Sequence, residues 1–363
     1  MPWLRFFKND NWIIFGSVFL LSGFGLFGIL SATFGKYQLV YFYRQLAFLL
    51  ASLVVFFAVR LINWRFFKNE GKTLLVFYII SSVSLAGLIL TGKAIRGAAS
   101  WYKVGSLGFE PVEIVKIILV LLLAKYFSLR HVEIFRARHV VASFVYAALP
   151  LVLVLLQPDL GSAIILLGIW LGMVLLAGIK LRHLATVAVL GILAASLAWV
   201  FVLHPYQKQR ISSFLNPERD PRGSSYNLQQ SLISVGSGGF WGKGLGRGSQ
   251  TQMGFLPENH SDFIFASVSE ELGFMGASII IFLYAVFVLS LGWVGRKLPD
   301  NFSRLATLGF AVMFLIEFAI NAGMNIGLLP VTGTPLPFLS YGGSNLLSSF
   351  IALGIISGLA RGG

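Results

Sequence analysis

Residues 12–31 read WIIFGSVFLLSGFGLFGILS, twenty residues without a charge. A helix needs roughly 20 mostly apolar residues to cross the hydrocarbon core of a bilayer. No small-residue cleavage site follows the run, so it reads as a retained helix rather than a removed leader. The pattern recurs near 44–63, 74–91, 112–128, 141–156, 161–179, 184–203, 273–293, 305–327 and 343–360, which makes ten runs. They are rich in Leu, Ile, Val and Phe and lack the period-two alternation of barrel strands. The expected fold is therefore an all-α polytopic membrane protein of about ten transmembrane helices. The chain reads as one transmembrane domain over residues 1–363, with a large extracytoplasmic loop, 204–272, between the seventh and eighth spans.

Composition agrees. The chain is 56% hydrophobic and 12% charged, against about 25% charged in soluble domains. It has no cysteine, so neither a disulfide framework nor a thiolate metal site is open to it. Its five histidines show no metal-binding spacing. The net charge is +14, but the basic residues are divided among separate loops rather than gathered in a stripe, which excludes a nucleic-acid partner. Sixteen of the 28 lie in the N-terminus, the C-terminus and the loops near 60–73, 125–140, 179–183 and 294–304. The positive-inside rule then puts both termini in the cytoplasm and the long loop outside, with anionic membrane lipids as partners of the basic loops.

Ionisable residues in or beside spans are the candidates for function. Glu113 and Lys116, three apart on the fourth span, share a helix face. They form either an ion pair that eases burial or part of a polar cavity. Upstream, Ile95 to Trp101 includes Arg96, and Trp101 with Tyr102 suits an interfacial helix. Asp159, in Gln157-Pro158-Asp159, is placed to cap the sixth span. The long loop carries seven glycines between Gly236 and Gly248, a composition that permits an anion-binding nest or a plain turn. Arg210, Lys243 and Arg247 add positive charge there, and Ser231–Val235 and Phe263–Val268 read as short pieces dipping into the surface. Within FLPENHSDFIFA, residues 255–266, an acidic knot from Glu258 to Asp262 sits between apolar flanks. A last outer loop, Asn325 to Ser344, has no charge and is stiffened by Pro330, Pro335 and Pro337.

Together these stretches resemble the SEDS family (shape, elongation, division and sporulation). The resemblance rests on Gly97–Lys116, Gln157–Gly161, Asn216–Gln230, Gly238–Gly246, Phe255–Glu258, His260–Ala266, Glu270–Gly273 and Gly327–Gly343, in that order. Tyr206–Arg210 and Gly248–Gln252 are closest to the elongation branch, the RodA type. Val112, where the family more often has Ser, and Ser261, where Thr is usual, depart from the pattern.

The resemblance implies a peptidoglycan glycosyltransferase that polymerises lipid II at the outer face of the cytoplasmic membrane, working with a class B penicillin-binding protein. It implies that Asp262 is catalytic. Joining a β-1,4 link from an α-linked lipid pyrophosphate inverts the anomeric carbon, so one carboxylate acting as base on the acceptor hydroxyl is sufficient. Apolar flanks are expected to raise the pKa of that carboxyl. Glu113, Lys116, Asp159, His260 and Glu258 are supporting candidates. Arg210, Lys243, Gln250 and Ser344 are candidates for holding substrate and its pyrophosphate. No cofactor is fixed, and a divalent cation, Mg2+ or Mn2+, is the candidate metal. The rival class is a lipid II flippase, against which the chain shows no inverted repeat. A non-catalytic scaffold would leave Asp262 without a purpose.

Overall fold

The computed structural model describes residues 12–34, 39–91, 100–104, 107–130, 137–201, 203, 205–216 and 225–361. Arg96 with its neighbours and Pro217–Ser224 lie outside the described residues. Among the described residues fourteen helices and one hairpin follow one another. They are α1 (Trp12–Phe34), α2 (Leu39–Leu61), α3 (Trp64–Asn69), α4 (Gly71–Thr91), β1 (Tyr102–Val104), β2 (Leu107–Phe109), α5 (Pro111–Ser128), α6 (Ala137–Leu156), α7 (Leu160–Leu176), α8 (Leu181–Phe201), α9 (Pro205–Leu215), α10 (Tyr226–Ser237), α11 (Ser249–Gln252), α12 (Ile264–Lys297), α13 (Asn301–Asn325) and α14 (Gly343–Arg361).

Eight of the described helices are long and apolar enough to cross a membrane. Each coincides with an apolar run of the sequence, and the protein is a multi-pass helical membrane protein. The other two runs are also helices. α5 has 18 residues and carries Glu113, Lys116 and Lys125, and α7 has 17 residues. The segment around Trp101 and Tyr102, expected as an interfacial helix, is instead an antiparallel hairpin in which Tyr102 faces Phe109 and Val104 faces Leu107. Aromatic and branched residues favour strands, and only two residues, Gly105 and Ser106, separate them. The Tyr102 hydroxyl donates to the Ser84 carbonyl at 2.8 Å.

The chain divides into two compact units. The first comprises residues 1–62, 210–294 and 314–361. In it α14 packs along α2, and α2 along α1. Its core gathers Phe287, Phe314 and Phe350 around Phe338. Phe338 lies in the left-handed region, with φ of 64°, a conformation that costs a side-chain-bearing residue free energy. Burial of its ring among three others offsets that cost.

The second unit comprises residues 63–209 and 295–313 with the final two residues. Here α5 packs on α4, α6 and α7. Apart from Glu113, Lys116 and Lys125 it is largely apolar and buried on nearly every side, as expected of a helix enclosed by others. Polar side chains tie its neighbours together: Trp170 Nε1 donates to Ser143 Oγ at 3.0 Å, and Gln157 Nε2 to the Leu85 carbonyl at 2.7 Å.

Candidate active site

The long loop is built from its backbone outward. α12 runs through Gly273, whose φ of 67° and ψ of −162° break the helix. A break there frees the carbonyls of Glu270 and Glu271 and the amides of Phe274 and Met275, which would otherwise pair with each other. The glycine-rich run takes up all four groups. Lys243 N–H donates to Glu270 O at 3.0 Å and Gly244 N–H to Glu271 O at 2.9 Å, while Phe274 N–H donates to Gly239 O at 2.8 Å and Met275 N–H to Phe240 O at 3.2 Å. Glycine is required by the closeness of this splice. A Cβ at Gly242, itself at φ 80°, would lie 2.1 Å from the Glu271 carbonyl oxygen, and one at Gly273 would lie 2.3 Å from the Gly242 nitrogen. The run is therefore a clasp on a broken helix and not an anion-binding nest, because its amides are turned to protein acceptors.

The same clasp fixes Lys243 and Gln250. Glu270, fully buried, receives Lys243 Nζ at 2.7 Å and the Gln250 amide at 2.9 Å on one oxygen. Its other oxygen receives the Thr251 amide at 3.0 Å and the Thr251 hydroxyl at 2.9 Å. Beside it, the Gly246 amide donates to Ser31 Oγ at 2.7 Å, and Gln252 Nε2 to the Ser31 carbonyl at 2.7 Å, which ties the loop to α1.

The knot follows. Glu258 adopts φ 50°, and its carbonyl accepts the amides of Ser261 and Phe263, both at 3.1 Å. Its carboxylate accepts Ser261 Oγ at 2.9 Å. Asn259 Nδ2 donates to the Thr251 carbonyl at 3.0 Å, joining knot to clasp. The three carbonyls of His260-Ser261-Asp262 are then each held from outside. His260 O accepts the Tyr341 amide at 2.8 Å. Ser261 O accepts Ser340 Oγ at 2.7 Å. Asp262 O accepts both Asn321 Nδ2 at 3.0 Å and Asn325 Nδ2 at 3.1 Å. Asn325 Oδ1 in turn accepts the Ala266 amide at 3.0 Å, supplying a partner to the first turn of α12.

Asp262 is half-buried directly ahead of α12, where the helix dipole favours negative charge. Its carboxylate faces the uncharged loop between α13 and α14: a Cβ added at Gly333 would lie 3.4 Å from Oδ2. That loop is fixed by Asn321 Nδ2 on Thr334 O at 2.7 Å and by Gln45, which donates to Ser340 O at 3.0 Å and accepts from Gly342 N–H at 3.2 Å. The His260 ring packs on Tyr41 and Tyr341, at 4.6 and 5.4 Å between centroids. Burial pushes the Tyr341 hydroxyl above the ordinary tyrosine range, and the hydrogen bond and charge of Arg44 offset this only in part. Ser344 is buried in the first turn of α14, and Arg210 is half-buried on α9.

Glu113, Lys116 and Asp159 belong to the second unit. Glu113 and Lys116 pair at 2.9 Å with 4% and 3% of their side chains exposed. Asp159 caps α7, accepting the Ser162 amide at 3.1 Å and the Ser162 hydroxyl at 2.7 Å, with Ser100 Oγ at 3.4 Å. Sequence reasoning did not single out Gln45 or Asn321, and it quoted Glu270 and Ser340 only within longer stretches, with no role of their own. Gln45 and Asn321 had a signal, since an amide side chain within an apolar span needs a partner.

The family model described as "Cell cycle protein", covering FtsW, RodA and SpoVE, matches residues 4–362. The peptidoglycan glycosyltransferase MrdB of Escherichia coli K12 is 35% identical over 313 residues, 86% of this chain and 84% of its own length. Stage V sporulation protein E of Bacillus subtilis is 35% identical over 327 residues, 88% and 86% of the two chains. A Thioalkalivibrio protein named "Probable peptidoglycan glycosyltransferase FtsW" is 36% identical over 358 residues, 94% and 87%. Among solved structures, a chain of a peptidoglycan synthase complex superposes with a TM-score of 0.83 at 30% identity, covering 97% of both chains. The rod shape determining protein RodA of Thermus thermophilus superposes with a TM-score of 0.72 at 28% identity, covering 97% and 96%. With a match that runs over nearly its whole length, the chain belongs to the cell cycle protein family of FtsW, RodA and SpoVE.

Proposed function

We propose that the chain is a peptidoglycan glycan-strand polymerase, an inverting glycosyltransferase that joins the disaccharide units of lipid II for cell elongation and shape. Family membership and the relatives named as peptidoglycan glycosyltransferases support the activity. The single observation that carries the site is the fixing of three consecutive carbonyls at His260, Ser261 and Asp262. A carboxylate on so rigid a backbone is placed in advance of substrate, which is where an enzyme gains most. In the proposed step the acceptor 4-hydroxyl attacks the anomeric carbon of the donor. Asp262 takes the hydroxyl proton, the bond from that carbon to the phosphate oxygen breaks, and the pyrophosphate leaves with the electron pair.

The remaining roles are assigned by what each side chain already holds. Lys243 is bound to Glu270, so its part in the reaction is to fix the clasp; Arg210, for its charge, and Ser344, for its hydroxyl, are proposed for the pyrophosphate end. Gln250 Oε1 is buried without a hydrogen-bond partner, an acceptor suited to a sugar hydroxyl or amide. Among the described residues no group of three or more His, Asp or Glu could hold a metal ion. A divalent cation for this reaction would be carried by the pyrophosphate and held by one or two carboxylates, and no step is routed through it. The lysine and arginine distribution supports cytoplasmic termini and an outer-face position for Asp262, where a class B penicillin-binding protein would crosslink the product.

The test uses purified protein with and without its cognate penicillin-binding protein, labelled lipid II, and an Asp262→Asn variant alongside. A ladder of glycan products that vanishes in the variant is the expected result. Protein that makes no ladder with its partner, yet moves lipid II across liposomes, would overturn the proposal.

A further inference from the structure

The glycine clasp that splices α12 also carries exposed apolar side chains. Trp241 is 75% exposed, and Phe240, Leu245 and Phe274 are each more than half exposed. The three rings form one cluster. Phe240 stacks on Phe274 at 5.8 Å between centroids, and Trp241 meets Phe240 edge-on at 5.1 Å. Their backbone is fixed, since the Phe274 and Met275 amides donate to the Gly239 and Phe240 carbonyls. The cluster therefore stays outward, and a contiguous apolar patch of this kind marks a surface that meets a partner or a membrane.

Two helices measure the height of this patch. α12 has 34 residues, and a straight helix of that length would run about 50 Å, well beyond a hydrocarbon core of about 30 Å. The break at Gly273 divides it by polarity: Glu270 and Glu271 stand before it, Phe274 and Met275 after it. From Phe274 to Trp293 the helix rises about 28 Å. α1 rises by the same amount, about 28 Å, from Trp12 to Ser31, and Ser31 Oγ accepts the Gly246 amide of the clasp. Trp12 and Trp293 are themselves exposed, as tryptophans at a membrane boundary are. On both helices the clasp thus lies one hydrocarbon thickness from an exposed tryptophan, at the level of the opposite boundary. Rings with an apolar body and, in Trp241, one polar N–H suit that level.

We propose that Phe240, Trp241, Leu245 and Phe274 insert into the lipid at the membrane interface on the side of the long loop and hold the clasp at a fixed depth. Asn259 Nδ2 bonds the Thr251 carbonyl, so the knot that bears Asp262 is tied to the same anchor. The inference concerns depth alone and does not rest on the polymerase reading. The test places the full chain, at low density and with no other protein, in phosphatidylcholine liposomes. The lipid carries a nitroxide quencher either high on its acyl chains, beside the glycerol, or near the chain ends. The chain has eight tryptophans, so the emission of Trp241 is read as the difference between wild type and Trp241→Phe. That emission is expected to be mostly lost to the shallow quencher, with little loss to the deep one or to acrylamide in the water. Quenching by acrylamide and by neither lipid would overturn the proposal, and so would stronger quenching by the deep label. Shielding from acrylamide that appears only when the penicillin-binding protein is added would overturn it too, and give the surface to a protein partner. Should Trp241→Phe fail to fold, the chain's lack of cysteine allows Leu245→Cys to carry a nitrobenzoxadiazole dye in the same lipids. Greater loss to the shallow quencher is again expected, and the reverse order, or no loss to either lipid, would overturn the proposal.

Discussion

Three aspartates among the described residues stand immediately before or near the start of a helix, and they are held in two different ways. Asp159 and Asp300 are held by their carboxylates, which accept the amides of Ser162 and Ser303 at 3.1 and 2.9 Å. Asp262 is held by its carbonyl, between Asn321 and Asn325. The difference matches the proposed roles, chemical for Asp262 and structural for the other two. A carboxylate that caps a helix fixes its own side chain, whereas the clamp on the Asp262 carbonyl fixes the main chain from which the side chain springs.

The largest expected effect breaks this comparison at its centre. Asp262→Asn should lower polymerisation by at least about 100-fold, the scale of a lost general base, with little change in unfolding temperature, because the clamp grips the backbone. A variant that lost activity only by unfolding would place Asp262 with the other two. Next come the clamps themselves. Asn325→Leu removes the donor to Asp262 O and strands the Ala266 amide, at about 1–3 kcal/mol for each buried group left unmade. Polymerisation should fall through kcat rather than KM, since the carboxylate is displaced and not removed. Steady-state kinetics with thermal unfolding would show both.

Asp159→Ala should cost about 1 kcal/mol, as for other helix caps, and leave the glycan ladder intact. Disappearance of the ladder in a folded Asp159→Ala protein would make it a second chemical acid. The smallest effect concerns Asp300. Burial alone would raise its pKa, but the Ser303 amide and hydroxyl and the Lys68 charge outweigh it, so the carboxyl stays below its ordinary value. The folded state then binds the proton less readily than the unfolded chain. Its stabilisation is complete above the unfolded pKa, about 3.9, and is lost as pH falls through the folded one. Lys68 is 43% exposed, so the pair itself contributes little. Asp300→Asn should leave stability at pH 7 nearly unchanged, since Asn also caps, and should flatten its decline below pH ~4. Acid-unfolding curves of the two proteins would check this.

The sequence announced much of this and hid the rest for physical reasons. Apolar runs of span length were enough to locate α1, α2, α4, α6, α8, α13 and α14, because in a bilayer the solvent itself selects helices. The start of α12 was less visible. Glu270, Glu271 and Gly273 make residues 264–272 look like loop, and only the clasp on Gly273 and the donors on Glu270 make a helix with a break affordable there. The hairpin at Tyr102–Phe109 was hidden by aromatic residues that suit a membrane interface equally well. Asp262 itself stood out as an acid among phenylalanines. What holds it did not, because Asn321 and Asn325 lie 59 and 63 residues downstream and no local pattern joins them to it.

The splice at Gly273 also bears on how this region can vary. An added methyl group at Gly238, Gly242 or Gly273 would strike main-chain atoms, those of Ser269, Glu271, Phe240 and Gly242. Crowding against a side chain can be relieved by trimming that side chain elsewhere in the gene. Crowding against backbone has no such remedy. A genetic screen starting from Gly273→Ala should therefore return revertants at codon 273 itself and few second-site suppressors, whereas one starting from a defect at Asn325, whose partners include side chains, has more routes back to a working protein.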